Sequence, residues 1–298
     1  TLSLHDALPI CSVLFYPIYT SSATSPALQN TRINITNADT RKSAYVHLFF
    51  VDGSNCNVAD LFVCLTENQT ASFVAAEFDP GTTGFVIAVA VDQRGCPTIF
   101  NALMGDEYVK FATGHQANLT ADAAAALNGL QISPPCDDNS FLANLRFDGF
   151  SYNLLGRVLA LSNIPDRASG NNTMLILNRI GGNLGIGAGA LGPIFGLLYN
   201  DVESSHSFSF TPNTCQLVNS LSNNFPRTTP RIETIIPAGR SGWMKLWSFD
   251  DAAIFGASIN FNPDAAISQS GFTHGHNLHK LRLTAAGILT IPIFPPNC

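Results

Sequence analysis

The stretch PGTTGFVIAVAVD, Pro80 to Asp92, decides the fold class. Pro80 presets φ and Gly81 permits a positive φ, so Asp79 to Gly84 (DPGTTG) is a turn signal. Phe85 to Val91 then runs as aromatic and β-branched residues over a length suited to a strand. Working outward, the same texture recurs between turn signals at Thr31 to Thr36 (TRINIT), Tyr45 to Val51 (YVHLFFV) and Leu61 to Leu65 (LFVCL). It returns at Thr173 to Leu177 (TMLIL), Ile194 to Tyr199 (IFGLLY), Ser207 to Phe210 (SFSF), Trp243 to Phe249 (WMKLWSF) and Ile288 to Phe294 (ILTIPIF). The expected class is all-β with at most one or two short helices. One helix is expected at Ala121 to Asn128, where Thr120 is the N-cap, Asp122 lies in the first turn and Gly129 stands at the stop.

The two halves of the chain align weakly with each other. Asn30, Thr31, Ile33 and Ile35 correspond to Asn172, Thr173, Leu175 and Leu177, and PGTTGF (Pro80 to Phe85) corresponds to PAGRSGW (Pro237 to Trp243). FFVDG (Phe49 to Gly53) finds its partner in LLYND (Leu197 to Asp201), and a Gly-His pair closes each half, at Gly114–His115 and Gly275–His276. QISPPCDD, Gln131 to Asp138, has the composition of a linker. These features predict two tandem β-sandwich domains, residues 11–132 and 137–298. Thr1 to Ile10 (TLSLHDALPI) matches the codon-by-codon translation of a sequencing adapter and is set aside from fold reasoning.

Charged residues make up 12% of the chain, against about a quarter in an ordinary soluble domain. The net charge of −6 and the scattered Lys and Arg form no basic stripe, which argues against nucleic acid as a partner. No apolar run approaches the ~18 to 20 residues of a transmembrane helix. The seven cysteines lack paired CxxC spacing, so disulfides are expected rather than a zinc site or a redox motif. The compartment implied is secreted or cell envelope. Cys11 beside the adapter-like segment is the odd thiol, or a lipid-anchored cysteine. Cys56 and Cys64 are close enough in sequence for a local disulfide across a turn; Cys96 with Cys136 and Cys215 with Cys298 is one of three pairings open to the other four.

The strand-turn pattern around VDG and GFVIAVAVD, over about residues 28 to 95, resembles the immunoglobulin-like, adhesion-related modules of bacterial surface proteins. The chain as a whole, with YPIYTSS, GDEYVKFATGH, FPRTTPR, GHNLHKL and IPIFPPNC, also resembles exported bacterial proteins of unknown function. These resemblances imply two tandem immunoglobulin-like β-sandwiches and an exported location, and no particular activity.

Few residues form a chemical constellation. In HGHNLH, His274 and His276 share one face of an extended segment and are the metal candidates, with His279 pointing elsewhere unless the chain turns. GGNLGIGAGALG contains GxGxxG at Gly187, Gly189 and Gly192 but lacks the βαβ context of a dinucleotide site, so no cofactor is expected. There is no GxSxG elbow, and the acidic pairs Asp106–Glu107, Asp137–Asp138 and Asp250–Asp251 read as solvated turns. The only tryptophans, Trp243 and Trp247, alternate with Met244 and Leu246, so Trp243, Lys245, Trp247 and Phe249 share one strand face. That face is either core, which its apolar neighbours favour, or a ligand-binding face of Trp243, Lys245 and Trp247 that stacks on sugars. The expectation is an exported structural or interaction protein without catalytic activity, a surface or matrix binding module. Its partner would be a polysaccharide or a cell-envelope protein. A carbohydrate-binding module using the aromatic face, or a secreted hydrolase with residues on distant loops, is the alternative.

Overall fold

The computed structural model describes residues 11–130, 136–137, 139–264 and 272–298; Thr1 to Ile10 and most of the expected linker lie outside them. In the N-terminal half the strands are β1 (Val13–Thr20), β2 (Asn30–Asn37), β3 (Ala44–Asp52), β4 (Val58–Leu65), β5 (Thr70–Val74), β6 (Thr83–Val91), β7 (Leu103–Lys110), β8 (Gln116–Thr120) and β9 (Asp122–Ala124). There follow β10 (Leu142–Phe147), β11 (Leu155–Pro165), β12 (Asn172–Arg179), β13 (Gly182–Asn183), β14 (Gly187–Ala188), β15 (Ile194–Asn200), β16 (Ser205–Phe210) and β17 (Gln216–Ser220). The last are β18 (Ser241–Ser248), β19 (Ile254–Phe261), β20 (His274–Asn277), β21 (His279–Ala285) and β22 (Gly287–Pro292). Two four-residue helices, α1 (Ala75–Phe78) and α2 (Ile232–Ile235), precede β6 and β18.

These strands form five small sheets. Sheet I has the order β4-β3-β6-β1-β9 and sheet II the order β5-β2-β7-β8. Sheet III, β16-β15-β18-β11-β21, and sheet IV, β17-β12-β19-β20, repeat those orders position for position. The weak internal likeness of the sequence is thus a duplication of strand order, with PGTTGF and PAGRSGW each feeding the middle strand of a five-stranded sheet. Sheet V, β10-β22-β13-β14, has no equivalent, and its β13–β22 pairing is parallel.

The expected pair of tandem immunoglobulin-like sandwiches is corrected by this arrangement. The all-β class stands, but the sheets assemble as a five-bladed, propeller-type set of small sheets, with non-sequential strand order inside each blade. The physical reason lies in sheet I. A sandwich sheet leaves one face to water and alternates apolar with polar residues, whereas β1 is buried at every position. One face of sheet I, with Leu14, Tyr16, Val46, Leu48 and Val86, packs on Ile33 and Ile35 of sheet II. The opposite face, with Phe15, Phe49, Phe85 and Ile87, packs on Leu145 and Phe147 of β10, Phe255 of β19, and Leu289 and Ile291 of β22. Phe15 lies 5.9 Å from Phe147 and 5.5 Å from Phe255, so residues from both halves meet in one core.

Polar contacts close the same junction. Buried Gln216 donates from Nε2 to the carbonyls of Pro17 (3.2 Å) and Gly84 (2.9 Å) and to Oδ1 of Asn178 (2.9 Å). Asn178 donates in turn to Pro17 O at 2.8 Å. The glycine of VDG is explained here: a Cβ on Gly53 would stand 2.8 Å from Cβ of Gln216.

Two further expectations change. Ala121 to Asn128 is not a helix: Asp122–Ala124 forms β9 on the edge of β1, with Ala124 opposite Val13. Helix propensity of the alanines yields to an open sheet edge, where Ala121, Ala124 and Ala126 are buried because they are small. Nor do Cys56 and Cys64 pair with each other. Cys56 precedes β4 and Cys64 lies near its far end, opposite Tyr45 of β3, so the extended run between them holds them roughly 20 Å apart. The disulfides are Cys56–Cys215, Cys64–Cys298 and Cys96–Cys136, and Cys11 is a free, buried thiol.

Candidate functional site

The outer face of sheet III is where the unusual side chains gather. Along β18 burial alternates strictly: Met244 and Leu246 are fully buried, while Trp243, Lys245 and Trp247 are half-buried on the opposite side. Core packing of the tryptophans, which the apolar neighbourhood favoured, is therefore not what is found. The sequence pattern was ambiguous because both sets are apolar; Met244 and Leu246 fill the core beside Leu159, Leu161 and Leu198.

Antiparallel pairing sets this face in rows. Phe195 of β15, Trp247 of β18 and Val158 of β11 stand in one row, and Arg282 of β21 ends it. Leu197, Lys245 and Ala160 form the next, and Tyr199 opposite Trp243 the third. Phe195 and Trp247 ring centroids lie 4.8 Å apart. Tyr199 and Trp243 are stacked at 4.4 Å with planes 9° apart. The Lys245 ammonium sits 5.3 Å from the Trp243 ring centre and 5.6 Å from that of Tyr199, within cation–π range. Phe249, 56% exposed, extends the aromatic stripe beyond β18 and lies 5.7 Å from Phe195. A recess of about 420 Å³ opens beside Trp247, between Lys245, Leu197, Val158, Arg157, Leu281 and Arg282. Outward serines Ser205, Ser207 and Ser209 of β16 border the far edge, opposite Tyr199, Leu197 and Phe195. Aromatic faces, an ammonium and hydroxyls on one rigid sheet offer stacking and hydrogen bonding.

The histidine candidates come together only in part. His274 and His276 lie on β20 with ring centroids 6.1 Å apart, and the chain turns at buried Leu278, which brings the ring of His279 to 5.6 Å from His276. His276 Nδ1 is hydrogen-bonded to Asn277 O and His279 Nε2 to Ser162 Oγ. Burial, aided by the neighbouring His276, lowers the pKa of His274 and favours its neutral form. Among the described residues no group of three or more His, Cys, Asp or Glu side chains converges as a metal site. The Gly-rich run forms the β13–β14 hairpin of sheet V, where Ala188 N donates to Cys56 O, and not a strand-to-helix phosphate turn.

Two buried groups escaped the sequence reading. Glu107, read as part of a solvated turn, lies in β7 and is wholly buried, accepting from Ile18 N at 3.2 Å through Oε1. Burial holds its carboxyl pKa well above the usual range, with Asp106 adding to the effect. His47 is buried between Phe49 and Phe62, each 4.1 Å away, and bonded to Asp60 at 2.8 Å; burial lowers its pKa. The period-two pattern of YVHLFFV alone could have placed His47 in the interior.

No family model matches the sequence, and no curated protein and no solved structure matches it. Two coarse properties stand on the structure itself: three disulfides, as expected of an oxidising compartment, and no described helix long and apolar enough to cross a membrane.

Proposed function

We propose that the protein is an exported, non-catalytic binding protein whose ligand is a polysaccharide, held on the outer face of sheet III. The observation that supports this reading is the placement of Trp243, Trp247, Tyr199 and Phe195 on the solvent side of a sheet whose core side is already filled. Large aromatic rings left half-open on a rigid sheet are costly to expose and useful for stacking. The three disulfides support export, to the cell envelope or beyond it.

The test is one substitution read two ways. Trp243→Ala removes the stacked Tyr199 partner, worth about 0.5–1.5 kcal/mol, so the melting transition should shift by only a few degrees. Retention on an immobilised polysaccharide panel should be lost. A loss of about 3–5 kcal/mol, the cost of a core aromatic, with retention unchanged would reject the reading.

A further inference from the structure

The charges on the aromatic face are one-sided, and they narrow the ligand class of the proposed function, on which this inference rests. Lys245 and Arg282 project from the middle and from one edge of sheet III, and among the described residues neither has a carboxylate partner. Among the described residues that adjoin the stripe along β15 and β18, the carboxylates lie beyond its ends: Asp201 and Glu203 past Tyr199, and Asp250 and Asp251 past Trp247. Asp201 and Asp251 are moreover neutralised by Arg240 and Arg157. A positive face is thus retained on a chain of net charge −6.

Such a field attracts an anion. The ammonium of Lys245 lies beside the stacked Trp243–Tyr199 pair, 5.3 and 5.6 Å from the two ring centres, where the carboxylate of a sugar docked on this face can meet it. Arg282 shares the row of Trp247 across two strand spacings, roughly 10 Å away. It can meet a second carboxylate further along an extended chain, in the planar fork that suits this group. We infer that the ligand is an acidic polysaccharide of uronate type, stacked on Trp243 and Trp247 with its carboxylates held by Lys245 and Arg282. A neutral glucan would offer neither cation a carboxylate.

Binding is measured by interferometry on the full chain with alginate and polygalacturonate, against dextran and hydroxyethylcellulose. The expected result is binding to the polyuronates alone, weakening as salt rises. Lys245→Met and Arg282→Gln should each weaken it about tenfold, with melting unchanged. Equal binding to neutral polymers, or polyuronate binding indifferent to both substitutions, would overturn the acidic class while leaving the aromatic-face reading intact. If no polymer is bound in a manner that Trp243→Ala weakens, both fall together.

Discussion

Glu107 shows how a single buried group sets a pH dependence. Its folded pKa is raised by burial above the unfolded value of about 4.3. The folded state therefore holds the proton more tightly than the unfolded one. Its contribution is full below that unfolded value and declines as pH rises toward the folded pKa, by about 1.4 kcal/mol per pH unit within that window. Glu107→Gln keeps a polar side chain beside Ile18 N and removes the titration, so melting measured from pH 5 to 9 should fall less steeply with pH in the variant. An identical slope in both proteins would show that Glu107 does not govern it. Nothing in GDEYVK revealed this burial, because two adjacent acids look alike in a string and only the facing β1 makes one of them interior. The tryptophan face was legible as a face but not as an outer one. Its side was settled by what covers each sheet, which is long-range information.

Strands β8 and β20 are the edges through which sheets II and IV meet. Asn277 donates to Thr120 O at 2.7 Å and accepts from Thr120 N at 3.3 Å, a side chain standing in for a missing ladder bond. A Cβ on Gly275 would lie 2.3 Å from that of Ala117, so the two strands pass as closely as glycine allows. Asn277→Ala should cost about 1–2 kcal/mol from the two lost bonds. Gly275→Leu should cost about 1–3 kcal/mol by overpacking. Denaturant midpoints check both, and a neutral Gly275→Leu would place the strands further apart than described. Strand positions were readable because period-two patterns and Pro-Gly turns are local. Even the duplicated order surfaced in PGTTGF and PAGRSGW. The alanine run misled because propensity is a weak prior beside an unsatisfied edge, and β20 was legible only as an extended segment of HGHNLH, not as a paired strand, because HGHN has no apolar alternation.

Across the whole molecule, every disulfide joins the first 96 residues to the stretch from 136 onward. Sequence spacing suggested a local Cys56–Cys64 bridge, yet the partners were chosen by packing, which no spacing encodes. A protease site inserted between Gln131 and Pro135 should therefore yield cut chains that keep full-length mass until reductant is added. Separate fragments without reductant would contradict the pairing. Replacing Cys56 and Cys215 together by serine should lower stability by roughly 2–5 kcal/mol, given the 159-residue separation that the bridge closes; chemical denaturation reports it. The doubled scaffold is also unequally finished: the outer face of sheet I is sealed beneath sheet V, and its counterpart on sheet III stays open. On the proposed reading, the described residues offer one such open face per chain. As a polymer binder it would coat strands without bridging them, so titration into dissolved polyuronate should saturate without gelling or clouding the solution.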